Sequence, residues 1–182
     1  MIQWAFEMLI FQHVQISKIF KSDTSPNLAV IKKANLFSDP RTRKINPSWF
    51  TNKVRMSDIS GVIGSKEQHI YHVFFEHGAK TKIHAHNGNQ ILIVTKGRGV
   101  LETFAKTQHK KDNFGIKRTK KIALNPGDVV HIARGTLHTH GSADKNRLFS
   151  HIAINVIPAK NKEYRTVWYE SDFKSRAGNI IK

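Results

Sequence analysis

From Trp49 onward, short apolar runs recur along the chain, each bounded by turn-forming residues. Residues 70–75, 90–95, 99–104, 121–124, 128–132 and 149–156 stand out, rich in β-branched and aromatic side chains and of strand length. Lys96-Gly97-Arg98-Gly99 reads as a hairpin turn. Asn125-Pro126-Gly127-Asp128 reads as a type II turn, with proline presetting φ and glycine supplying the positive φ that follows. No sustained helical period appears after residue 50. Many short strands joined by regular turns predict an all-β sandwich or barrel.

The flanks read differently. Residues 21–47 are rich in Ser, Asp, Asn, Pro and basic residues, which predicts an irregular arm with one short strand at 28–32. Residues 106–121 form a basic insertion expected to extend a hairpin, and the polar stretch after Trp168 is expected to fray. The resulting layout is an arm over 1–47, a β domain over 48–169 and a tail over 170–182. The first twenty residues are apolar but lack a basic start and a small-residue cleavage site, which argues against a signal peptide. Gln3, Glu7, Gln12, His13 and Gln15 interrupt the apolar length a membrane span needs. Two readings of this run stand: an element covering the barrel or a subunit contact, or an upstream extension, since Met8 is another possible start.

Composition narrows the chemistry. The chain has 182 residues, enough for one domain with an ordinary core. It has no cysteine, which removes disulfides, thiolate metal sites and cysteine nucleophiles together and fits a cytoplasmic protein. Histidine is then the strongest ligand available, and there are 11. The formal net charge of +17 attracts anions, but the basic residues are spread from Lys18 to Lys182 with no aromatic-plus-basic RNA-binding motif. A lysine-rich surface without specific nucleic-acid recognition is the expectation.

The histidines are placed for convergence. On a strand, residues i and i+2 share a face, so His84 and His86 aim two imidazoles at one point. Gln90 follows four residues on, with the spacing to return on the adjoining strand. His138 comes after a tight turn on a later strand, and His131, His140 and His151 add imidazoles on later strands. Two histidines on a polar strand face can also be plain surface residues; it is the further imidazoles and the amide that favour a divalent metal. Three imidazoles and a carboxamide would leave the ion's charge uncompensated and its Lewis acidity high. By alternation His140 shares the face of His138, and His151 shares a face with Ala153 while Ile152 and Ile154 take the other. His140 and His151 are therefore candidate acid/base groups beside the ion, the alternative being support or barrel filling.

These residues resemble the cupin pattern. The motif G-x5-H-x-H-x3-E-x6-G is met at Gly78, His84, His86, Gln90 and Gly97, with Gln90 in place of Glu. The motif G-x5-P-x-G-x2-H-x3-N is met at Gly127, Gly135 and His138, with Ala133 for Pro and Ser142 for Asn. Closer likeness runs through Trp49–Thr51, Gln90–Gly99, Leu137–Gly141 and Ser150–Ile154, resembling the small bacterial cupins that include manganese-dependent (R)-selective hydroxynitrile lyases and carboxymuconolactone decarboxylase-associated cupins. The resemblance covers roughly residues 49–169. It implies a jelly-roll barrel with one divalent ion per chain (Mn, Fe, Zn or Ni, with Mn favoured), held by His84, His86, Gln90 and His138, with His140 and His151 as acid/base groups. A small-molecule substrate, a homodimer and no membrane association are the accompanying expectations.

The chain departs from the lyases in its longer, more basic inter-motif segment, in Thr139 between the two histidines, and in His131 where an aromatic is common. The expected pocket is correspondingly more polar. A metal-dependent lyase-like enzyme is the leading reading, with a metal-dependent dioxygenase or a non-enzymatic small-ligand-binding or sensor cupin as the alternatives.

Overall fold

The computed structural model describes residues 31–38, 41–109, 113–159 and 163–182. The apolar run 1–20 and residues 28–30 of the expected short strand lie outside the described residues; 31 and 32 carry no regular structure. Eleven strands make up almost all of the described regular structure: β1 (Val54–Asp58), β2 (Gln68–Phe75), β3 (Ile83–His86), β4 (Gln90–Lys96), β5 (Gly99–His109), β6 (Asn113–Leu124), β7 (Val129–Ile132), β8 (Leu137–Ser142), β9 (Phe149–Val156), β10 (Thr166–Ser171) and β11 (Arg176–Ile181). One helical turn, α1 (Ile59–Ile63), interrupts them, capped by the Asp58 carboxylate on Gly61 N–H and closed by Gly64.

Two sheets form. One has the order β1-β2-β9-β4-β7. The other runs β10-β11-β6-β5-β8-β3 and closes on itself where β3 pairs β10. All pairings are antiparallel, giving the all-β barrel that the strand pattern predicts, of the jelly-roll kind that the resemblance implies. Alternation sorts the faces. On β4, Gln90, Leu92 and Val94 are buried while Ile91 and Ile93 lie outside, half-buried. On β9, His151, Ala153 and Asn155 are buried while Ile152 and Ile154 lie outside. Phe75, Leu92, Leu101, Leu124 and Phe149 centre the main core. Each contributes on the order of 2 kcal/mol from burial. A second cluster of Ile83, Phe104, Phe114, Ile116 and Leu137 backs β3 from the other side.

Asn125–Asp128 turns as read, but Lys96–Gly99 closes no hairpin: β4 pairs with β7 and β9 while β5 pairs with β6 and β8, so this turn carries the chain from one sheet to the other. Gly127 has φ 93°, Asp128 N–H donates to the Asn125 carbonyl at 3.0 Å, and the Asp128 carboxylate returns to Asn125 N–H at 2.7 Å. Gly97 has φ 74°, and a Cβ there would come 2.1 Å from the Leu148 carbonyl oxygen, so no other residue fits.

Two further expectations need correction. The stretch after Trp168 does not fray: β10 continues to Ser171, and β11 returns to pair with β10 and, through Arg176–Gly178, with β6. Its polarity reflects one solvent-facing side, while Ala177 and Gly178 are buried against neighbouring strands. The basic insertion does extend a hairpin, but regular pairing between β5 and β6 reaches much further than the apolar runs suggested. Lys117–Ala123 are exposed on both faces, so no apolar alternation marks them. Among the described residues no helix is long and apolar enough to cross a membrane.

Candidate metal centre

The histidines meet because of strand register. His84 lies opposite His138 across β3 and β8, and opposite Trp168 across β3 and β10. His86 lies opposite Thr166. His84, His86 and His138 are buried, and their ligand nitrogens all lie within 4.8 Å of one another. The Nδ1 end of each ring has a partner. His84 Nδ1 donates to the Lys82 carbonyl at 2.9 Å, and His138 Nδ1 donates to the Thr136 carbonyl at 2.8 Å. A carbonyl only accepts, so these rings carry their proton on Nδ1 and keep the Nε2 lone pair. His86 Nδ1 meets the Thr166 hydroxyl at 2.8 Å, which orients that ring in the same sense. The indole of Trp168 stacks on His84 at 4.3 Å, and Trp49 stacks on Trp168 at 5.2 Å.

Gln90 lines the same cavity as His84 and His86. Its Nε2 donates to Asn155 Oδ1 at 2.9 Å, across the β4–β9 pair, which fixes which amide atom remains. Gln90 Oε1, His86 Nε2 and His138 Nε2 are buried and find no hydrogen-bond partner among the described residues. Orphaned buried acceptors are costly, and several close together fit a cation. Electrostatics agree. Burial, with smaller contributions from neighbouring imidazoles, holds His84 well below the usual imidazole range. Burial pushes His86 down to about 3 and His138 to about 4. All three are neutral at physiological pH, the form that ligates a metal.

His140 and His151 lie beside this cluster. The His140 ring is 5.5 Å from that of His84 and 5.7 Å from that of His138. His140 Nδ1 and His151 Nε2 are 3.2 Å apart, so one proton bridges them. Phe75 packs on both rings. Burial holds His140 well below the ordinary range and pushes His151 down to about 3. His131 is not brought in: it is exposed on the outer side of β7, opposite Ile91. The i, i+2 rule sends it outward because Val130 and Ile132 take the inner face of that strand.

The cavity encloses about 300 Å³ between the two sheets. Trp49, Phe50, Phe75, Tyr164 and Trp168 form much of its wall, so it is more aromatic than the sequence departures suggested. Thr166, Trp168, Tyr164, Asn155 and Trp49 escaped the sequence reading. The signal for three of them was present: Tyr164, Thr166 and Trp168 alternate with polar or exposed neighbours, as a strand lining a pocket does. Asn155 likewise continues the alternation His151, Ala153, Asn155.

Comparisons with known proteins follow this geometry. Residues 68–171 match the family described as Cupin. The chain is 32% identical over 112 residues to an (R)-mandelonitrile lyase of Granulicella tundricola, covering 58% of this chain and 70% of that protein. It is similar to the crystal structure of a cupin-like protein from Thermotoga maritima, with TM-score 0.53, 30% identity, and coverage of 72% of this chain and 86% of that one. The Momordica charantia 7S globulin shares the fold at TM-score 0.51 and 14% identity, over 72% of this chain and 36% of that one.

Proposed function

Because the chain belongs to the cupin family, we propose that it is a metal-dependent enzyme of lyase type acting on a small organic substrate. The observation that carries this reading is the buried His84–His86–His138 cluster, with orphaned acceptors, whose His84 and His86 line the same cavity as the His140–His151 pair. His84, His86, Gln90 and His138 would hold one divalent ion, with manganese favoured. When bound, such an ion supplies Lewis acidity to a substrate oxygen. The similarity to a mandelonitrile lyase supports cleavage beside a hydroxyl-bearing carbon over other chemistries.

The protein's own part is proton handling. In this mechanism His140 Nδ1–H is the donor to His151 Nε2, 3.2 Å away, the tautomer that leaves the His140 Nε2 lone pair free toward the cavity. In the cleavage direction the substrate hydroxyl gives its proton to His140 Nε2. The bond from carbon to the departing group breaks as the carbonyl forms, and the departing group takes up that proton. The aromatic walls exclude water from the exchange.

Metal analysis of protein purified without nickel chromatography is the first test, and about one first-row divalent ion per chain is expected. His84→Ala with His86→Ala should abolish uptake while the far-ultraviolet spectrum stays that of the folded barrel. Once a hydroxyl substrate that the loaded protein cleaves is identified, His140→Ala should cost about 10²-fold or more in rate at unchanged metal content. Failure to bind any metal would refute the reading. Oxygen uptake with turnover would turn it to a dioxygenase, and tight binding without turnover to a ligand-binding cupin.

A further inference from the structure

The cavity has a cation at its rim that the metal-centred reading leaves unused. Thr42 bridges Ser57, Asp58 N–H donates to the Arg41 carbonyl at 2.8 Å, and Arg43 N–H donates to the Met56 carbonyl at 2.8 Å. Residues 41–43 therefore lie along β1 as an added edge, and this placement brings Arg43 into the cavity wall. Its guanidinium lies 4.6 Å from the centre of the Tyr71 ring and donates through Nη1 to the Tyr71 hydroxyl. Tyr71 itself is buried, so the guanidinium is held by a fixed partner.

No carboxylate among the described residues forms an ion pair with Arg43. Among the described residues, histidines and tyrosines aside, the other ionisable acid or base on the wall is Glu163; it is 77% exposed and 3.7 Å from Arg165. Tyr164 lines the cavity with its hydroxyl buried and without a partner, its ring 5.1 Å from that of His86. A phenol carries its proton at neutral pH and can donate it to a hydrogen bond. A planar guanidinium without a carboxylate and a buried donor without an acceptor both lack an oxyanion. One guanidinium, with Glu163 nearby, suits a single negative charge better than a phosphate dianion.

We infer that the cavity takes a small organic monocarboxylate, its carboxylate held at the rim by Arg43 and by the Tyr164 hydroxyl, and its reacting oxygen toward the histidines. This rests on the metal-centred reading of the same cavity. It makes Arg43, from outside the matched region 68–171, a determinant of specificity.

Binding tests it without needing turnover. Glycolate, γ-hydroxybutyrate and para-(hydroxymethyl)benzoate, each beside its primary amide, are titrated calorimetrically into manganese-loaded and metal-free protein. At least one acid should bind about ten-fold or more tightly than its amide, the scale of a charge-assisted contact. Arg43→Gln should bring that ratio near one at unchanged metal content, Arg43→Lys should keep part of it, and Tyr164→Phe should lower it. A ratio unaffected by Arg43→Gln, or no binding by any acid, overturns the inference. If the protein takes up no manganese, the metal reading fails by itself, and the acid-to-amide ratio in metal-free wild type and Arg43→Gln still decides the role of Arg43.

Discussion

Acidification of the metal-free protein is a sharp probe of the buried histidine cluster. Burial pushes His86 down to about 3, His138 to about 4 and His151 to about 3, from an ordinary value of 6.5. These folded-state values are depressed, so the unfolded chain binds protons first as pH falls. The stability of the fold is fully present above about 6.5 and is lost as pH falls through the window toward about 4. At pH 5 each of the three rings costs about 2 kcal/mol, and together they cost about 6 kcal/mol. His84 and His140 shift in the same direction and steepen the loss. A domain's whole net stability is on the order of 5–15 kcal/mol, so the chelated protein should unfold near pH 5. Urea denaturation at a series of pH values, followed by circular dichroism with chelator present, measures the curve. His151→Gln removes one titrating ring and should shrink the loss between about pH 7.5 and 5 by about 2 kcal/mol, whatever it does to the absolute stability. A loss below about 2 kcal/mol over that interval in the wild type would show that the rings are not buried and neutral as described.

Three other outcomes follow from the same structure. Gln90→Glu should tighten metal retention, because Asn155 can rotate its amide to offer Nδ2 to the new carboxylate; unchanged retention on chelator titration would remove Gln90 from the ligand set. Thr166→Val strips the His86 Nδ1 partner and should weaken metal binding about 10–100-fold, the scale for groups that orient a ligating imidazole, as read by competition with a chromogenic chelator. Nucleic-acid adhesion driven by the +17 charge should be weak, sequence-blind and lost at moderate salt, and selective binding in filter assays at physiological salt would contradict that.

Much of the site was legible along the chain because strand periodicity is a local property. His84 and His86 share a face whatever lies beside them, as do His138 and His140, or His151 and Ala153, so the inward set could be named from spacing. The same rule misled where a strand has no buried face to mark it, as in Lys117–Ala123, and where polarity was taken for disorder, as in Arg176–Ile181. His131 shows the limit from the other side. In the sequence it counts among the later-strand imidazoles that favour a metal, but the inner face of β7 belongs to Val130 and Ile132.

What spacing cannot supply is the identity of the partner across a strand pair. That His84 sits between His138 and Trp168, that His86 faces Thr166, and that Gln90 is oriented by Asn155 are consequences of register between strands distant in sequence. Arg43 is the extreme case: only its pairing along β1 brings it to the cavity. The sequence alone determined which side chains turn inward, through backbone geometry that repeats every two residues. The tertiary structure decided which of them meet and which protons they carry, because non-local pairing sets distances, burial and hydrogen-bond partners together.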